Sequence, residues 1–369
     1  MRLVIVGAGI TGAACAYTAA GLGAQVVLAD ARMPGQATAA GAGIICPWSA
    51  DEPDPVWYGY ACAAARWYPD LIEELVQAGF GDASYRRTGA LMLQSGQDQA
   101  SREAAALLAA RSGGAPEIGD VQVLTPHQAS EAFPPLREGT HAVLVSGAAR
   151  VDGRMMAAAL ITGAVRRGAV LRHGPAELIC AAGRVSGVRL ADEMIRADAV
   201  IAAAGAWTAS FVRPAGAAVS VSPQRGQIAH ISVAPADTSR WPVVLPFQSG
   251  HYLLAFDDSR VVAGATRETG AGFDPRVTPA GVREVLDEAL AVAPGLAAGT
   301  HLETRVGLRP ASADGLPLLG PVPAAAGLVV ATGLGASGLT LGPLTGKLAA
   351  RIALGLDPEF ELSAFDPVR

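Results

Sequence analysis

The chain has 369 residues, 51% of them hydrophobic and only 17% charged, with a formal net charge of -5. That length favours two domains and is ample for a buried core. A mildly acidic balance with no basic block points away from nucleic acid and toward a small-molecule ligand, and no run of about 18 apolar residues escapes a glycine or a charge, so no transmembrane segment is expected.

In chain order, "RLVIVGAGITGAACAYTAAGLGAQVVLAD" predicts a strand at 2–6, a tight glycine turn, a small-residue helix and a second strand closing on Asp30. This is a βαβ unit. "DPVWYGYACAAARWYPDLIEELVQAG" reads as helical apart from Pro69, and "YRRTGALMLQS" as a strand. Helices are predicted at 98–111 and at 153–167, where Asp152 can cap. A run of short strands then leads to the buried strand "AVIAAAG". Residues 217–266 alternate as strands, as in "GQIAHISV", "HYLLAF" and "RVVAGAT". After a helix at about 279–292, "GLVVATGLGASGLTLGPLTGKLAARIALG" repeats the opening order of strand, glycine turn and long helix. The cysteines, Cys15, Cys46, Cys62 and Cys180, have neither C-x-x-C nor metal-ligand spacing, so no metal is expected. The first residues read as strand rather than signal peptide, and a reducing, cytoplasmic setting follows.

In "VIVGAGITG", Gly7 permits a tight turn, Gly9 lets a phosphate approach the backbone, and Gly12 lets the helix pack closely on the strand. The helix N-terminus offers free N–H groups and a partial positive charge to a pyrophosphate. Asp30, at the end of the second strand, can accept hydrogen bonds from a ribose diol. These features alone fit NAD or FAD, and equally a turn in an α/β core with Asp30 merely solvated. A nicotinamide enzyme should continue with regular βα units, whereas here Asp30 precedes a long small-residue loop, "ARMPGQATAAGAGIICPW", whose backbone can lie against something large and flat. Isoalloxazine suits that surround better than nicotinamide.

At this point the sequence resembles the FAD-dependent amino-acid oxidase and dehydrogenase family that includes D-amino-acid oxidase, glycine oxidase and sarcosine oxidase, nearest to the glycine oxidase and D-amino-acid dehydrogenase branch. The resemblance runs through "VIVGAGITG", "ATAAGAGI", "ADAVIAAAGAWT", "PQRGQI", "HYLLAF", "RVVAGAT", "VGLRPASADGLPLLG" and "ATGLGASGLTLGPLTGKLAA". It implies an α/β fold: a discontinuous Rossmann-like FAD-binding domain (1–84, 145–216 and 303–369) and an α+β substrate domain on a mainly antiparallel sheet (85–144 and 217–302). By position, Gly7, Gly9, Ile10, Thr11 and Gly12 are expected at the pyrophosphate, Asp30, Ala31 and Arg32 at the adenosine ribose, and Ala176 at the adenine edge. Thr38, Gly43 and Ile44 should border the flavin, with Ala204, Gly205 and Trp207 near it. The closing turn then brings Gly333, Gly335, Ala336, Ser337, Gly338, Leu339 and Thr340 to the isoalloxazine end, with Gly307 and Arg309 beside them, so that one cofactor is held at both ends. The closing helix also directs its positive end at the ring that gains charge on reduction. The alternative is a second helix-capping glycine turn with no ligand.

Arg309 in "TRVGLRPASADG" is, by resemblance, the clamp for the substrate carboxylate, a role that the guanidinium fork suits. The alternative is a structural arginine paired with Asp314 or Glu303. Tyr252 matches a tyrosine that bonds the same carboxylate. It can equally be a packing residue, and if the strand is regular only one of His251 and Tyr252 faces the ligand. The implied reaction oxidises the C–N bond of a small amino acid of D-amino-acid, glycine or sarcosine type by hydride transfer to flavin N5, and the imino acid hydrolyses to a 2-oxo acid. Flavin-dependent oxidation of a 2-hydroxy acid, or a flavin-binding subunit with little activity of its own, are the alternatives. Oxygen or another electron acceptor completes the cycle, and a quinone acceptor would place the protein peripherally at a membrane. Two departures stand out: Leu334 occupies a place where relatives often have histidine, and no cysteine follows Cys180, which points to non-covalent FAD.

Overall fold

The computed structural model describes residues 1–50, 53–94, 98–246 and 248–369. Strand Arg2–Val6 is buried from Leu3 onward and lies inside a six-stranded sheet. It pairs in parallel with Gln25–Asp30 on one side and Ala199–Ala202 on the other. Val170–His173 and Leu328–Thr332 extend the sheet in parallel, and Leu318–Pro321 closes one edge antiparallel. Continuous apolar runs such as "LVIV" and "AVIA" suit strands covered on both faces. Leu3 and Ile5 pack with helices Ile10–Gly21, Pro55–Gln77, Gly153–Arg166 and Gly338–Ala353, while Val4 and Val6 pack with Leu178, Val185 and Val188 of a three-stranded antiparallel sheet.

Among the described residues the second sheet has nine strands, antiparallel except for the pairing of Val243–Pro246 with Ala90–Gln94. Its long strand Val221–Ser232 pairs with Arg260–Gly264 along one edge and Thr300–Ser312 along the other. Period-two alternation sorts its residues. Ala229 and Ile231 pack outward with Val285 and Ala289 of helix Pro279–Val292, whereas Gly226 and Ile228 face the space between the two sheets. The Rossmann-like parallel sheet and the mainly antiparallel second sheet are the α/β architecture that the sequence implied.

Three details differ from the sequence reading. Helix Pro55–Gln77 runs through Pro69, because Tyr68, Leu71 and Leu75 on either side are buried against the core and hold the backbone helical despite the missing N–H. The strand predicted in "YRRTGALMLQS" is confined to Ala90–Gln94, since Gly89 turns the chain at φ +77, and Ser95 lies outside the described residues. The expected boundary at 303 falls inside strand Thr300–Ser312, which pairs with the second sheet from end to end. No described helix is long and apolar enough to cross a membrane.

Candidate functional site

A cavity of about 490 Å³ runs between the two sheets and touches both glycine turns. At the first turn the chain leaves no room for side chains: a Cβ on Gly7, which has φ +101, would sit 2.3 Å from the Ala203 carbonyl oxygen, and one on Gly12 would sit 1.8 Å from that of Gly7. Gly7, Gly9, Ile10 and Thr11 line the cavity. Gly12 does not, and its role is the close packing of helix on turn. The first helical amide, Ile10 N, donates to the Thr38 hydroxyl at 2.9 Å, so Thr38 stands at the helix N-terminus as well as on the cavity wall.

Asp30 reaches the cavity with its carboxylate held in place, accepting from Gln36 Nε2 at 3.0 and 3.2 Å and from the Arg32 amide at 3.3 Å. Ala31, Ala176 and Glu177 line the same end. Arg32 is absent from the lining, since its guanidinium is engaged with His173 Nε2 at 2.7 Å.

The closing turn meets the middle of the cavity. Ala204, Gly205, Trp207, Gly335, Ala336, Gly338 and Leu339 line it opposite Gly43 and Ile44, and Leu334 lines it too. Three residues expected here do not reach it. Gly333, at φ +77, is backed by Leu318; Ser337 immediately precedes helix Gly338–Ala353; and the Thr340 hydroxyl donates to the Ile44 carbonyl at 2.9 Å, tying the helix to the loop. A Cβ on Gly205 or Gly335 would meet no protein atom within 4 Å, so both project toward open cavity space.

The far end is built from the second sheet: Tyr252, Gly307 and Arg309, together with Gly226, Ile228 and Arg267. Arg309 Nη1 donates to the Thr266 carbonyl at 2.9 Å. The two carboxylates named as alternative partners are taken, Asp314 by Arg369 at 2.7 Å and Glu303 by Arg305 at 2.5 Å. Among the described residues Arg309 makes no ion pair. Burial lowers its pKa, an effect opposed by Tyr252. The guanidinium lies against Gly226, where a Cβ would come within 2.5 Å of Cζ. Burial raises the Tyr252 phenol, which therefore remains a protonated donor at neutral pH. His251 points elsewhere, with Nε2 3.7 Å from Glu284.

Sequence alone does not single out Gln36, Gly226, Ile228 or Arg267, all of which line the cavity. Gly226 and Ile228 lie within "PQRGQI", and Arg267 directly follows "RVVAGAT". Gln36 lies in the loop "ARMPGQATAAGAGIICPW", where nothing marks its side chain out from its neighbours. Chemically, one end offers backbone amides and a helix N-terminus to phosphate, and the other offers a cation and a phenol to carboxylate. None of the four cysteines lines the cavity, and burial pushes the Cys46 thiol up to about 12. Among the described residues no group of three or more His, Cys, Asp or Glu is placed to hold a metal.

A family model described as FAD dependent oxidoreductase, DAO, matches residues 2–352. The chain is 46% identical over 365 residues to the uncharacterized oxidoreductase YurR of Bacillus subtilis strain 168, covering 99% of this chain and 98% of that one. It superposes on iminodiacetate oxidase (IdaA) from Chelativorans sp. BNC1 with TM-score 0.95 and 47% identity, covering 99% of both chains. Glycine oxidase from Geobacillus kaustophilus gives TM-score 0.84 and 30% identity, over 100% of this chain and 99% of that one.

Proposed function

The chain belongs to the FAD dependent oxidoreductase (DAO) family, and from that premise we propose that it oxidises the C–N bond of a small amino acid, giving an imino acid that water converts to a 2-oxo acid and ammonia or an amine. The observation that carries the reading is Arg309, a largely buried guanidinium with no ion-pair partner among the described residues, facing the same cavity as both glycine turns. The residues present fit FAD: glycines and other small residues line much of the cavity, and among the described residues no protein atom lies within 4 Å of a Cβ on Gly205 or Gly335. Gly7, Gly9, Ile10 and Thr11 would hold the pyrophosphate, Asp30 the ribose, and Gly43, Ile44, Gly335 and Gly338 the flavin. Absence of any cysteine from the lining supports non-covalent attachment. FAD, when bound, supplies the acceptor for the hydride leaving the substrate α-carbon.

Arg309 takes the substrate carboxylate in a forked pair, and the Tyr252 hydroxyl donates to the same group. Together they fix the α-carbon over one spot, where orientation lowers the barrier. The titratable groups lining the cavity are Asp30, Glu177, Tyr252, Arg267 and Arg309, and the two carboxylates lie at the opposite end. Among the described residues no side-chain base lines the substrate end, and on this reading the substrate amine arrives neutral. It follows that kcat/KM rises with pH until the amine has lost its proton. Similarity to glycine oxidase and iminodiacetate oxidase supports glycine-type substrates.

The test is anaerobic mixing with glycine, sarcosine, D-alanine and iminodiacetate. Bleaching of the flavin with release of 2-oxo acid and ammonia or amine is expected. Bleaching by glycolate or lactate alone would move the reading to 2-hydroxy acids, and no bleaching by any of them would end it. Admitting air afterwards separates oxidase from dehydrogenase, a slow return of colour being the result expected for a dehydrogenase or slow oxidase.

A further inference from the structure

We propose that two copies of this chain associate through helix Pro279–Val292, packed antiparallel about a twofold axis. The helix seats Gly281, Val285 and Ala289 against the second sheet, while both of its leucines, Leu286 and Leu290, stay half-buried together with Val282. A helix that ends at water would turn its larger apolar side chains inward. With Val277, 47% exposed, and Pro279, these three line an open groove along the helix, and Arg283 and Asp287 form its rim. Looseness does not account for the exposure. The helix start is tied to the fully buried Gln227, which donates through Nε2 to the Thr278 hydroxyl and accepts from the Thr278 amide, both at 2.9 Å.

The charges on the rim point to a second copy as the occupant. Arg283 and Asp287 are exposed, and among the described residues neither makes an ion pair or hydrogen bond. Residues four apart share a row on a helix surface, so Val282, Leu286 and Leu290 form one ridge and Arg283 and Asp287 the next. Two such helices laid antiparallel, with the axis level with Val285, set each Arg283 opposite the partner's Asp287. With a rise of about 1.5 Å per residue, the same axis interleaves the six apolar side chains of the two ridges at steps of about 3 Å. Every contact is made twice, as an isologous interface requires. A lipid surface is a poorer occupant, because the exposed Glu284, Asp287 and Glu288 outnumber Arg283 and oppose anionic headgroups.

One helix from each protomer makes a small interface, so the dimer should be weak, with Kd on the order of micromolar. Sedimentation velocity of the purified full chain at about 1 to 100 µM should therefore show monomer giving way to dimer. Arg283→Asp and Asp287→Arg, each made alone, set like charges against each other twice and should stay monomeric over this range. Mixing the two single variants should rebuild the dimer as a heterodimer, because each supplies the charge that the other lacks. Both substitutions in one chain should rebuild it too, and Leu286→Glu should abolish it. Every variant should keep the wild-type circular dichroism, which separates a lost contact from a lost fold. A wild type that stays monomeric at the highest concentration overturns the proposal. So does a dimer indifferent to both charge reversals and to Leu286→Glu, or a mixture of the single variants that fails to associate.

Discussion

Where the cavity meets the parallel sheet, much of its wall is the backbone of two glycine turns with small side chains, joined by larger groups such as Asp30, Trp207 and Leu339. Where it meets the antiparallel sheet, its wall is side chains, Tyr252, Arg267 and Arg309, carried on segments that come together only through strand pairing. Backbone walls suit a ligand recognised by its phosphates and its flat ring, and they tolerate little change because a single Cβ occupies the ligand's place. Charged side-chain walls suit a small ligand that must be oriented, and they can be altered without disturbing what lies at the other end. Retention of the cofactor and turnover of the substrate should therefore be separable by mutation.

The largest effect should come from Gly9→Val. Gly9 has φ -66 and ψ -178, an extended backbone that valine adopts freely, and its Cβ would approach only the Thr38 hydroxyl, at 3.1 Å. The fold should survive while the phosphate space fills, so the protein should purify folded by circular dichroism yet colourless. Gly12→Val, which drives Cβ into a carbonyl oxygen, should instead fail to fold. Full flavin content in Gly9→Val would break the division between the ends. Next, Arg309→Ala should lose about 2 to 5 kcal/mol of transition-state binding, roughly one and a half to three and a half decades in kcat/KM, with flavin content nearly unchanged. An amine of the same shape without the carboxylate should barely notice the change. If both substrates suffer equally, Arg309 is structural.

Asp30→Ala should weaken FAD binding by roughly 1.5 to 3 kcal/mol, one charged hydrogen bond, and leave kcat of the reconstituted enzyme unaltered. Measuring FAD affinity and kcat on the same preparation checks both halves. The smallest effect should be Gly226→Ala, where the new methyl displaces the Arg309 guanidinium, the movable end of a long side chain, by a few tenths of an ångström or more. About a tenfold fall in kcat/KM follows from misplacement alone. Unchanged kinetics would show that Arg309 needs no bed of glycine.

Legibility in the sequence follows the same division. The opening turn, its strands at 2–6 and 25–30 and the helix Pro279–Val292 are local, each written in a contiguous periodicity, and the structure has them at those positions. Side-chain geometry is not local. Arg267, in a short segment after a strand, reads as a solvated charge and stays exposed after folding although it lines the cavity, and Gly226 gains its meaning only when strand pairing puts Gly307 across from it. Arg32, Ser337 and Thr340 show the converse. Position within a motif places them at the cofactor, whereas none of the three lines the cavity: Arg32 bonds His173 and Thr340 bonds the Ile44 carbonyl.

The most direct measurement is the amount and kind of flavin in the purified wild-type protein after heat or acid precipitation. If one dinucleotide spans both glycine turns without a covalent link, the supernatant should hold close to one FAD for each chain and the pellet should be white. Two nucleotides per chain, a pellet that keeps its colour, or a protein that carries NAD and no flavin would contradict it.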